Sequence, residues 1–402
     1  MNIPSGSCQY TNSSQYIVSR NPFKYAGHQE DYENKVSSII SLGLKKVQNC
    51  PLDEDNLSKL FFELLEDFGK KRQQLALNHK TERAKEFGRR RDLPCEDFSE
   101  FHCTLLHKDY SEYNLKILST FVELMKDLNL WEKSDQIKIK EIKDATSSFE
   151  IKVIEKQHLE KFNWHLPYEF PSYVPVDLLD KKRTVGLNEK EAIIVLLAIK
   201  KIKISNPDLY TKMKMHTSFM YIQKHYPSPR MIFLESGFQC REGKEENLKS
   251  FNVVATSRIK VNGKAYAASQ YVTWLYRDFI TNPLERMKEC SKVVIMHQDK
   301  FLIEETLKEI SKIFAKIVLW DKKDSQELKN TMAIFRRYFA HAMPKERGSA
   351  AEAEWYERVL YLFHNYVVAY NNKTMIDLEA LITPLDSQFV ANYPTMIELT
   401  PL

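Results

Sequence analysis

Apolar positions in the first third of the chain recur at three- and four-residue steps. Val36, Ile39, Ile40, Leu42 and Leu44 form one stripe, and Leu57, Leu60, Phe61, Leu64, Leu65 and Phe68 a second. A third, within Asp109–Trp131, contains Leu115, Leu118, Phe121, Val122, Met125 and Leu128. This period predicts helices, with breaks at Pro51 and Pro94. The period then falls to two. Ile137, Ile139 and Ile142 alternate with charged residues, as do Phe149, Ile151 and Val153, which reads as a short hairpin. Pro167, Pro171 and Pro175 deny helix to Trp164–Asp180 and mark a crossover or linker. Beyond it the pattern predicts helices over 188–204 and 207–225 and a strand at Met231–Leu234. Phe251–Val261 and Lys264–Ser269 flank Asn262-Gly263, the strongest hairpin signal in the chain. A further strand is expected within Lys292–His297. Helical spacing resumes over Phe301–Trp320, Ser325–Ala342, Ser349–Tyr370 and Met375–Val390.

These readings divide the chain into a loose tail (1–26), a helical N-terminal unit with a short hairpin (27–162), a Pro-rich crossover (163–180) and an α+β C-terminal domain (181–402). The fold class is mainly α (α+β), with a small, mostly antiparallel sheet. Composition agrees, since only 10 of 402 residues are glycine, leaving few tight turns or phosphate-cradling loops. No apolar run is long enough to span a bilayer. The six cysteines are scattered without Cys-x-x-Cys and read as reduced thiols. No metal-ligand spacing occurs, neither G-x-G-x-x-G nor the P-loop motif is present, and the cofactor is left open. Asn252–Gln298 loosely resembles part of a tyrosine phosphatase domain, but no arginine stands six residues after any cysteine, which excludes that chemistry.

Charge is uneven. The chain carries +5 overall, yet Gly69–Arg91 alone carries nine cations against Glu82 and Glu86. Lys70, Lys71, Arg72, Arg89, Arg90 and Arg91 form a basic patch suited to an anionic phospholipid surface or a charged partner. A solvated helix face is the plainer account. Aromatic residues are not interleaved with these cations at base-stacking spacing, so nucleic acid is not expected.

The densest chemistry lies in Arg336–Trp355. Pro344 stops a helix, Gly348 permits a bend, and Ser349 with Glu352 spells a capping box, so the segment reads as a helix–turn–helix corner. The same residues also read as a site. His341 and Glu352 are candidate acid–base groups, and Arg347, Ser349 and Arg337 candidate binders of phosphate or carboxylate at a helix N-terminus. Glu352 lies at the rim of the buried stripe, where its pKa is expected to rise, whereas Glu354 and Arg358 read as a solvated pair. His165 with Glu169, His216 and His225, and the aromatics Trp164, Tyr168, Phe170 and Tyr173 are weaker candidates.

The pattern F-x-H-x-x-P-x-x-R-G-S-A-A-x-x-E-W, Phe339–Trp355, resembles a segment of secreted bacterial effectors and large toxins. The Lys-, Asn- and Ile-rich style of the chain resembles proteins of intracellular pathogens of the Legionella kind. The resemblance implies a soluble protein of the bacterial cytoplasm that is secreted into a host cell without a cleaved signal peptide. Two readings follow. One is a transferase or hydrolase acting on a phosphate-bearing or nucleotide-like substrate. The other is a non-catalytic helical protein that grips a host partner or an anionic membrane through its basic face.

Overall fold

The computed structural model describes residues 29–79, 84–91, 103–105, parts of 116–124, 138–155, 250–276, 294–321 without 299, and 323–402 without 372 and 373. The tail at 1–26, the crossover at 163–180, the helices expected over 188–204 and 207–225, the strand at Met231–Leu234 and the candidates between Trp164 and His225 lie outside the described residues.

The helices are α1 (Gln29–Asn49), α2 (Glu54–Asn78), α3 (Lys300–Val318), α4 (Ser325–Ala342), α5 (Ser349–Phe363), α6 (Ile376–Ile382) and α7 (Asp386–Asn392). Strands β1 (Cys103–Leu105), β2 (Lys138–Lys143), β3 (Ser147–Glu155), β4 (Ser250–Val261), β5 (Lys264–Tyr276) and β6 (Val294–Met296) form one antiparallel sheet in the order β1-β6-β5-β4-β3-β2. Strands β7 (Tyr366–Tyr370) and β8 (Ile397–Pro401) make a separate antiparallel pair. The fold is therefore mainly α with antiparallel β. Both hairpins read from the sequence form, β2–β3 and β4–β5. Asn262 and Gly263 both adopt positive φ, 50° and 78°, as a two-residue turn matched to strand twist requires.

Two expected helices are shorter than their patterns. Ser349–Tyr370 stops at Phe363, and Asn365 turns the chain at φ 63°. The following Tyr-Val-Val-Ala-Tyr is β-branched and aromatic, and it pairs with the C-terminal strand instead of continuing the helix. Met375–Val390 is split into α6 and α7 around Thr383-Pro384, because proline has no amide to donate and restricts the residue before it.

One hydrophobic core joins α1 and α2 to α3, α4 and α5. Tyr356 is at its centre, stacked on Phe61 with ring centroids 5.2 Å apart and edge-on to Phe68 at 4.9 Å. Phe314, Phe335 and Phe339 close the aromatic shell. The Tyr356 hydroxyl donates to the Phe61 carbonyl at 2.7 Å, so the one polar atom of this ring is satisfied inside. The buried line of α1 runs through Val36, Ile39, Ile40, Gly43 and Val47. A Cβ on Gly43 would meet Val359 at 2.9 Å and Phe68 at 3.1 Å, so the glycine permits the close approach of α1 to α5. Leu42, counted in the apolar stripe, is instead 54% exposed. Helix α5 is buried on nearly every side, not along one stripe.

Candidate functional site

The corner between α4 and α5 is built from residues 342–349. Met343 ends α4 in the left-handed region at φ 42°, and Gly348 does the same at φ 95° just before α5. Gly348 is the N-cap, so no side chain caps α5 and the expected capping box does not form. Ser349 is already the first helical residue. Its buried hydroxyl accepts from the Lys345 amide at 3.0 Å and lies 3.3 Å from the Lys345 carbonyl, which closes the turn on itself.

The basic run meets this corner. After α2, residues 84–91 form a strap that pairs with 344–347 in the manner of a short ladder. The Gly88 amide donates to the Arg347 carbonyl, the Glu346 amide to the Arg89 carbonyl and the Arg91 amide to the Pro344 carbonyl, each at 2.9 Å. Gly88 adopts φ 73°, and a Cβ there would lie 1.9 Å from the Gly69 carbonyl oxygen. Only glycine fits where the strap crosses α2.

The cations are placed unequally. Lys70 and Lys71 are exposed on α2. The Arg72 guanidinium lies 4.4 Å from the centre of the Phe87 ring. Arg89 pairs with Glu346, its Nε 2.6 Å from Oε2, and Arg90 approaches Glu66 at 3.4 Å. Arg91 is buried and caps α4 from outside. Its Nε donates to the Met343 carbonyl at 2.6 Å, and Nη2 to those of Ala342 at 2.8 Å and Gln298 at 2.9 Å. A helix C-terminus leaves carbonyls unpaired and carries partial negative charge, so a buried guanidinium is the matching group.

The remaining candidates separate. Arg337 is fully buried. Its Nε donates to Asp386 at 2.5 Å, and Nη1 and Nη2 serve the carbonyls of Ala380, Thr383 and Pro384, fixing the α6–α7 junction to α4. His341 is fully buried with Nδ1 2.9 Å from the Ser269 hydroxyl, and Nε2 has no hydrogen-bond partner among the described residues. Burial, aided by the charge of Arg337, holds its pKa well below the usual histidine range, so the ring is neutral. Glu352 is fully buried, 3.7 Å from the Lys345 ammonium, and neither carboxylate oxygen is within hydrogen-bond distance of a partner among the described residues. Burial pushes its pKa up to about 8 against the charges of Lys345 and Arg72. Lys345 itself donates to the Leu65 carbonyl at 2.9 Å. Arg347 is the open member, its side chain 40% exposed and 3.2 Å from Glu86.

Ser349, Lys345 and Glu352 thus meet inside the corner, Arg347 faces outward beside the strap, and His341 and Arg337 project from α4 toward β5 and the α6–α7 junction. Glu354 and Arg358 are buried, 3.8 Å apart with Glu33 3.5 Å from Arg358, not a solvated pair. The structural role of Arg91 had no signal in composition. Gly88 did offer one, as one of ten glycines set beside three arginines. Among the described residues no group of His, Cys, Asp and Glu is placed to hold a metal ion, and no helix is long and apolar enough to cross a membrane.

No curated protein matches the chain in sequence. Residues 245–400, which include β4, β5 and α3 to α7, match the model of the AvrB_AvrC avirulence protein family, and this similarity supports a bacterial effector without extending to the Legionella kind.

Proposed function

We propose that the chain is a bacterial effector that acts inside a host cell by binding a host protein, with the corner and its strap as architecture. Delivery into the host cell is part of this reading. The similarity of residues 245–400 to avirulence proteins supports the effector assignment. The observation that carries the binding role is the state of the cations expected to hold phosphate. Arg89, Arg90, Arg91 and Arg337 are engaged with carboxylates and carbonyls of the chain itself. Arg91 and Arg337, buried and bonded to several carbonyls, are not available to a substrate or to an anionic phospholipid without disturbing the fold, whereas Arg89 and Arg90 hold partly exposed pairs that compete with such a ligand.

A second reading keeps one specific support. His341 Nε2 is buried without a hydrogen-bond partner among the described residues and Arg347 retains exposure, as a transferase or hydrolase of a phosphate-bearing or nucleotide-like substrate would use them. Expression in a host cell separates the two readings. Arg347→Ala with an unchanged melting temperature and a lost host effect favours the enzyme. Arg347→Ala with an unchanged host effect favours the binding protein.

A further inference from the structure

Helices α1 and α2 form a hairpin that leaves an open groove between them, with a cavity of about 590 Å³. Its floor is apolar. Ile39 of α1 and Leu60, Leu64 and Phe68 of α2 line it, and the core fixes each of them from beneath. Leu42 stands in its wall, 54% exposed. A single exposed leucine is ordinary, but this one adjoins a continuous apolar floor. Gly43 lets α1 approach α5 closely, and Leu42, one helical step of about 100° from Gly43, falls off the buried line of α1.

The rim is basic. Of its charged lining residues, Lys46 and Asp67 pair with each other at 2.5 Å. That leaves Lys45, Lys59 and Lys71 against Glu63. All three lysines are exposed, and the Lys59 charge also acts on the neighbouring Asp53 carboxylate. Lys70, beside Lys71, adds to the same potential. From Ile39 to Asn49 the wall is about 15 Å long at the helical rise of ~1.5 Å per residue. Two helices with an apolar seam and this length match the groove that an amphipathic helix fills. The positive rim selects the flanking residues of that helix by charge.

We infer that the α1–α2 groove binds an amphipathic helix of a host protein, its apolar stripe seated against Leu42, Leu60 and Phe68 and its acidic flanks facing Lys45, Lys59 and Lys71. This rests on the partner-binding reading above and gives that partner a chemistry.

The test uses the full chain and a fluorescent synthetic helix of about four turns, with leucines on one face and glutamates on its flanks. Its twin carries lysines in place of the glutamates. Fluorescence anisotropy is expected to show the glutamate peptide binding roughly ten times more tightly or better, with the gap narrowing as salt rises. Leu42→Asp is expected to weaken binding about tenfold or more. Lys45→Glu with Lys59→Glu is expected to reverse the preference between the twins. Equal binding of the twins overturns the inference, and so does undiminished binding to Leu42→Asp. A dimer in sedimentation that Leu42→Asp dissolves also overturns it, because a second copy is then the occupant. The comparison of twins on the unaltered chain needs no variant to fold. The same protein is expressed in host cells in parallel. Failed peptide binding with a preserved host effect removes the groove assignment alone, whereas absence of any host effect removes the effector reading.

Discussion

Replacing Arg91 by alanine isolates the claim that the basic run is structural. The side chain is buried and donates to three carbonyls at 2.6–2.9 Å, two of them at the end of α4. Hydrogen bonds from a charged donor contribute about 1.5–3 kcal/mol each, and buried acceptors left unpaired cost about 1–3 kcal/mol. These terms overlap and are not additive, so a total loss of about 3–5 kcal/mol is expected, the range found on breaking a buried charged contact. Urea denaturation at neutral pH measures it, with the exposed Lys71→Ala as a control expected to stay within about 0.5 kcal/mol of the parent. Arg91→Lys keeps the charge but not the planar fork that reaches several carbonyls, so it falls between the two. An Arg91→Ala variant less than about 1 kcal/mol below the parent would refute the reasoning. The same logic forecasts that reversing Arg89, Arg90 and Arg91 to glutamate unfolds the corner, so lipid binding lost in such a variant says nothing of a lipid site.

Two further outcomes follow from the corner. Gly88→Ala drives a Cβ into the Gly69 carbonyl at φ 73° and is expected to cost at least about 3 kcal/mol in a thermal or urea melt, whereas Gly263→Ala, also left-handed but with nothing within 4 Å, costs only about 1 kcal/mol of backbone strain. Glu352 has a pKa of about 8 in the fold and about 4.3 unfolded. Between these values the folded state holds a proton that the unfolded state has released, so stability falls as pH rises. The loss from pH 5 to 8 is on the order of 4 kcal/mol from this group. Glu352→Gln should flatten the dependence in urea melts taken across that range, and a slope that persists unchanged places its source elsewhere.

Among the described residues, the helices and hairpins were legible because their periods are strong and local. Asn262-Gly263 identifies a turn by its own chemistry, and Ser325–Ala342 is read to the residue because Asp324 caps one end and Pro344 follows the other. The errors came where local pattern is ambiguous. Tyr366–Tyr370 is a short apolar run that suits helix or strand, and its partner β8 lies about thirty residues further on. At the candidate site, the residue types were legible and their partners were not. Arg337 meets Asp386, Arg91 meets the end of α4, and Lys345 meets Glu352 inside the core, all through tertiary contacts that spacing cannot express. A cation-rich stretch looks alike in sequence whether it is solvated or threaded through a corner. Leu42 is the converse case, since its apolar character suggests the core whereas the buried line of α1 runs through Gly43 and leaves Leu42 at its edge, 54% exposed.

The central claim is that this chain acts through a binding surface on α1 and α2 and not through chemistry at the α4–α5 corner. The most direct measurement pairs thermal melting with a host-cell effect for Leu42→Asp, Arg347→Ala and His341→Ala. The account predicts that Leu42→Asp melts like the parent, because the side chain is exposed, and loses the host effect. It predicts that Arg347→Ala keeps both fold and effect, and that His341→Ala loses effect only as far as its stability and abundance fall. A fully folded Arg347→Ala protein without host effect, beside an active Leu42→Asp protein, would contradict it.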